Sequence, residues 1–176
     1  MPPHTFWELA RTHLQQPEYL HVILNPLPVY GVGFGVMALV VALFLRQRSA
    51  HVVALAIILA SALSAWPTIH YGEQGYDRIE SMSDHGGYEW LDAHAQRGKR
   101  AEPVFYILAG IAAAALIVPW KFPKSGTVLS FLALAASIAA LGAGVWVALA
   151  GGQVRHKEFR YGSPPEPPGG YEKMRD

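Results

Sequence analysis

"SGTVLSFLALAASIAALGAGVWVALAGGQV", Ser125–Val154, is thirty consecutive residues without a charged side chain. A bilayer core about 30 Å thick is crossed by roughly 20 apolar residues in a helix, and about 17 suffice. The stretch is therefore a span, with its apolar centre over 128–150. Inside lipid a backbone must satisfy its own hydrogen bonds, so the span is a helix. Three more segments qualify on either side of the same reasoning. Leu27–Leu45 is uncharged and stops at Arg46-Gln47-Arg48. Val52–Ile69 begins after His51, and Val104–Trp120 is the shortest and rich in alanine. Composition agrees: 52% of residues are hydrophobic and 15% charged, against about 25% charge in a soluble domain.

The connections set the topology. The links 46–51 and 121–124 are too short for anything but antiparallel neighbours, whereas 71–103 is long, polar and acidic. The expected fold is an all-α, up-down bundle of four transmembrane helices, with spans over 27–45, 52–69, 104–120 and 128–150. A polar loop separates spans two and three. Residues 1–26 form an N-terminal interfacial segment, in which Phe6, Trp7, Ala10, His13 and Leu14 fall at helical spacing, as in a helix lying among headgroups. Residues 155–176 form a polar tail, irregular and Pro/Gly-rich after Arg160. Gly31 and Gly35, Gly110 and Ala114, and Gly142 and Gly144 provide small-residue faces for helix packing.

Charge excludes some functions and leaves sidedness balanced. A net charge of +1 gives no case for nucleic acid. The absence of cysteine removes disulfides, iron–sulfur ligation, thiolate zinc sites and covalent haem attachment. Both short loops are basic, with Arg46, Arg48, Lys121 and Lys124 and no acid, which favours a cytoplasmic face. The opposite face holds more basic residues near span ends, several of them beside acids. The expectation is a bacterial inner-membrane protein whose histidine-rich face is extracytoplasmic.

The eight histidines concentrate on the long-loop face; only His51 belongs to the other. His21 precedes the first span, His70 ends the second, His94 precedes the third by about three helical turns, and His156 closes the fourth. Each span thus delivers one imidazole to the same interfacial layer. Facing helices commonly build such sites in bundles, and imidazole suits iron, copper or zinc. Glu73 and Glu158 stand three and two residues after His70 and His156, within reach to orient a ring or bind metal. Gly151 and Gly152 remove side chains one turn before His156, which permits a flat ring to approach, although glycine also ends helices. Arg155 can pair with a carboxylate such as a haem propionate.

"LHVILNPLPVYGVGFG" (20–35), "YGEQGYDRIE" (71–80), "LDAHA" (91–95) and "GGQVRHKEFR" (151–160) occur in that order. Together they resemble an uncharacterised family of small bacterial four-helix membrane proteins. Its motifs are Asn-His-x-Pro, Thr-Gly-Glu, a His-Glu pair and Gly-Gly-x-Ile-Arg-His-Pro-Glu. The resemblance covers Leu20 to about Arg160. It implicates His21, Asn25, Pro28, Gly72, Glu73, His94, Gly151, Gly152, Arg155, His156 and Glu158. Pro26, Ala95 and Lys157 depart from the pattern, each standing where the family has a histidine, a glutamate or a proline. It implies a fold and positions, not a reaction.

Two functions compete. In the first the chain is a membrane subunit of an electron-transfer or respiratory-type complex. It would hold a b-type haem, or iron, copper or zinc, between His21, His94 and His156, with His70 in reserve and Glu73 and Arg155 in support. Its partners would be other membrane or redox subunits, or quinone. In the second it is a cofactor-free structural or assembly subunit, as Pro26 and Ala95 suggest. A transporter is disfavoured because no ionisable residue lies mid-span. A serine hydrolase is disfavoured because no serine sits in a Gly-x-Ser-x-Gly setting.

Overall fold

Each apolar segment lies within a longer, mostly helical stretch. The structure is a computed structural model and describes residues 5–162. The first span runs from Pro17 to Leu45 as α2 (Pro17–Leu24), a π-helical turn (Leu27–Gly31) and α3 (Val32–Leu45). Pro17 opens α2 at its first turn, where a missing N–H costs nothing. Pro26 and Pro28 cannot donate to the preceding turn, and the helix widens where they stand. The second span is α4 (Arg48–Leu63) with α5 (Ala65–Gln74), joined at Ser64. The third is α7 (His85–Lys121) and the fourth α8 (Ser125–Arg155).

The connection expected as a polar loop is mostly helix. α5 carries the second span on to Gln74, and α6 (Tyr76–Ser81) follows. Asp84 then caps α7 by accepting from the Gly87 N–H at 2.8 Å, so α7 starts 19 residues before Val104. The reason lies in composition: "HGGYEWLDAHAQRGKRAE" is polar, but Trp90, Leu91, Ala93 and Ala101 recur at helical spacing and are buried. Ahead of the bundle, α1 (Phe6–Leu14) is closed by a capping box between Thr5 and Glu8, and none of its residues is buried. The tail expected over 155–176 is described only to Gly162. Within that part Lys157–Phe159 makes a 3₁₀ turn.

The four spans pack antiparallel around a core in which alanine is the commonest residue, with Leu39, Leu55, Ile58 and Leu108 as its largest fully buried side chains. Gly35 faces span two so closely that a Cβ would lie 2.5 Å from Ile58 Cγ1, and Gly31 meets Ser61 in the same seam. Gly144 similarly meets Val29 and Phe105. Gly110 and Gly142 have open space beside them, so neither of these two glycines marks a close helix contact among the described residues. The outward surface of the spans is apolar, with Phe34, Phe44, Ile107 and Trp120 among its exposed side chains. That pattern is the one an integral membrane protein needs.

Candidate functional site: a histidine pair at one end of the bundle

His21 and His94 meet. Their ring centroids are 6.0 Å apart and their planes cross at 78°. Each is fixed by one backbone carbonyl. His21 Nδ1 lies 2.8 Å from the Thr68 carbonyl oxygen and His94 Nδ1 lies 3.1 Å from that of Val147. A carbonyl only accepts, so in both rings Nδ1 donates and Nε2 carries the lone pair. The same device orients metal-bound imidazoles: one nitrogen is tied to a carbonyl and the other is presented to a ligand.

Two glycines make the contacts geometrically accessible. Gly72 is one turn beyond Thr68, and a Cβ there would sit 2.8 Å from His21 Nδ1. Gly151 is one turn beyond Val147, and a Cβ there would sit 2.9 Å from His94 Cε1. A helical carbonyl is flanked by the side chain four residues on, so only glycine leaves room for a ring to reach it.

The surroundings are asymmetric. Trp90, one turn before His94, is buried, and its indole Nε1 is without a hydrogen-bond partner among the described residues. A buried indole N–H normally finds one. Arg97 donates to the Trp146 carbonyl at 3.0 Å and lies over the Trp146 ring, 5.1 Å from its centroid. One turn deeper into the bundle, Asn25 and Gly98 follow His21 and His94 by four residues. They open onto a cavity of about 820 Å³, walled by apolar residues such as Pro28, Val29, Phe105 and Val145 and reached by Thr68 and Val147.

The other expected site residues lie elsewhere. His70 is exposed, stacked on Trp66 at 5.3 Å and within 2.9 Å of Gln74 Nε2. His156 is exposed, stacked on Phe159 and bonded to Glu158 at 3.0 Å. The carboxyl of Glu158 is held below the usual range by its own backbone N–H and by that ring. Glu73 pairs with Lys99 at 3.1 Å, both exposed. Arg155 is exposed at the last turn of α8, and Gly152 faces Phe159 and lines the cavity. Among the described residues no three His, Asp or Glu side chains gather as a metal-ligating group. The four-histidine layer is thus a pair, with two further rings at the same end of the bundle turned outward.

Above the pair the bundle is closed by Arg160, whose side chain is 14% exposed. It donates to the carbonyls of Gln153 (2.7 Å) and Val154 (2.9 Å) and to both oxygens of Asp84 (3.1 Å each). Lys157 joins at 2.9 Å. Hydrogen bonds from Arg160 and Lys157 hold the Asp84 carboxyl far below the usual carboxylate range. Nothing in the local sequence pairs Asp84 with Arg160; the contact spans 76 residues. Trp90 lies one turn from His94 on the same helical face, a spacing that by itself does not mark it as part of the site.

No family model, curated protein or solved structure matches the chain.

Proposed function

We propose that this chain is an electron-transfer subunit of a membrane complex and holds a b-type haem between His21 and His94. The observation that carries the reading is the pairing: two half-buried imidazoles with centroids 6.0 Å apart, each with Nδ1 on a backbone carbonyl, which leaves Nε2 to serve as a ligand. That separation would let both imidazoles reach one ion. A zinc or copper site would need further protein ligands, whereas two imidazoles would suffice to hold a haem. The orphaned Trp90 N–H and the adjoining apolar cavity suit a flat, largely apolar group with polar edges, while Gly72 and Gly151 let the two imidazoles reach their carbonyls. Bound haem would supply a one-electron couple, and His21 and His94 would hold it. The resemblance in the 20–35, 71–80, 91–95 and 151–160 motifs supports the same positions. Basic short loops favour an extracytoplasmic histidine face, with redox subunits or quinone as the exchange partner.

The test is an absorption spectrum of protein produced with haem precursor, air-oxidised and then dithionite-reduced, with iron measured alongside. The expected result is a Soret band that shifts on reduction and about one iron per chain, both lost in His21→Ala and His94→Ala. A folded, colourless protein without stoichiometric iron, copper or zinc would overturn the reading and leave the cofactor-free scaffold.

A further inference from the structure

The opposite end of the bundle has a different chemistry. All four spans end there, at the basic links 46–48 and 121–124, which contain four Lys or Arg and no carboxylate. Between them lies a second cavity of about 300 Å³, bordered by Arg46, Arg48, His51 and Ser130 and floored by Val52 and Leu55. The side chains of Arg46 and Arg48 make no ion pair or hydrogen bond with any described residue. Cations left without a partner around a concave, acid-free pocket favour an anion.

His51 is poised in the same pocket. Ser130 gives its one hydroxyl proton to the Gly126 carbonyl, at 2.9 Å. Its oxygen, 2.9 Å from His51 Nδ1, must therefore accept from that ring. His51 Nε2 is left for another partner. The span ends that border the pocket also carry exposed aromatics: Phe44, two residues before Arg46, is 83% exposed, and Trp120, next to Pro119 of the lining, is 82% exposed. A free phosphate has no use for exposed aromatics at these span ends, but the acyl chains of a lipid do. Aromatic residues at this level are also the ordinary anchors of the interface.

We infer that this cavity binds the phosphate of an anionic phospholipid headgroup, with Arg46 and Arg48 as its principal contacts and the acyl chains lying along Phe44 and Trp120. Basic recesses between transmembrane helices recognise anionic headgroups in this way. The inference is independent of the histidine pair.

Native mass spectrometry of the detergent-purified full chain, titrated with dioleoyl-phosphatidylglycerol or dioleoyl-phosphatidylcholine, tests it. Phosphatidylglycerol should bind at least about tenfold more tightly. The double variant Arg46→Gln/Arg48→Gln should lose that preference, while Lys121→Gln/Lys124→Gln, which removes the same charge outside the cavity, should keep most of it. Both variants are on exposed positions, and their thermal unfolding in detergent checks that they fold. Equal binding of the two lipids, or equal loss in the two double variants, would overturn the inference. So would displacement of phosphatidylglycerol by millimolar inorganic phosphate, which would mark a free-anion site.

Discussion

In the first helical hairpin, spans one and two, His21 of the leading helix donates to Thr68 of the returning helix beside Gly72. In the second hairpin, spans three and four, His94 donates to Val147 beside Gly151. The hairpins share another contact. Arg78, past the end of span two, returns to Glu18 at the start of span one (2.9 Å). Arg160, past the end of span four, returns to Asp84 at the start of span three. The backbones differ. Span one is interrupted by a π turn and span two is broken at Ser64, whereas α7 and α8 run unbroken for 37 and 31 residues. The clasps differ too: the Arg78 side chain is 61% exposed and that of Arg160 14%. The second hairpin is thus the fixed half of the site, and the first holds the joints that can adjust to a ligand.

Substituting the two glycines puts this comparison at most risk. Gly151→Ala places a methyl group against the His94 ring in a helix that has no joint to yield. Gly72→Ala does the same to His21, where the π turn of span one can shift. Overpacking costs about 1–3 kcal/mol, partly offset by about 1 kcal/mol of helix propensity gained over glycine. Stability should therefore change by less than about 2 kcal/mol in either. Cofactor retention, measured as Soret absorbance per chain, should fall about tenfold or more in Gly151→Ala and by less in Gly72→Ala. Equal losses would remove the distinction between a fixed and an adjustable half.

The clasps give an intermediate effect. Arg160→Ala strips a cationic donor from two backbone carbonyls and should destabilise by about 1.5–3 kcal/mol, the usual range for hydrogen bonds to charged groups. Arg78→Ala removes an exposed pair and should cost about 0–1 kcal/mol. Thermal unfolding in detergent measures both. Asp84→Asn keeps an N-cap but removes the charge. The folded carboxyl is depressed, so its stabilisation is present above the ordinary carboxylate range, about 4, and fades as pH falls below it. The stability gap between wild type and Asp84→Asn should be constant from pH 8 to about pH 5 and shrink below about pH 4. A gap that widens on acidification would show that Asp84 acts otherwise.

Much of this architecture is legible in residue order, for a physical reason. Twenty apolar residues leave a backbone one option in lipid, so the spans and their antiparallel order follow from hydropathy. The extension of α7 through 85–103 is less visible because its polar face dominates composition while Trp90, Leu91, Ala93 and Ala101 hold the inner one. The site is legible by layer but not by angle. Successive helical residues turn about 100°, so His70, two residues beyond Thr68, points away from the face that Thr68 turns to His21. His156 lies past the last helical residue, and the chain there follows the Arg160 clasp instead of the α8 face. A pair such as His21 and His94 joins two hairpins, and only tertiary packing decides that meeting.

The smallest expected effect falls on those outward histidines. His70→Ala removes a ring stacked on exposed Trp66, and His156→Ala one stacked on exposed Phe159. Surface substitutions away from buried contacts usually stay within about ±0.5 kcal/mol. Both variants should keep the full Soret band and the wild-type unfolding temperature, while His21→Ala and His94→Ala lose the band. The outcome separates two kinds of histidine in one interfacial layer: those whose Nδ1 is fixed on a carbonyl inside the bundle, and those held only by aromatic and polar neighbours at its surface. Loss of the band in His156→Ala with folding intact would mean that the end of α8 turns inward when the site is filled. The ligand set would then have to include a third span's ring, and the division between the paired and the outward histidines would fail.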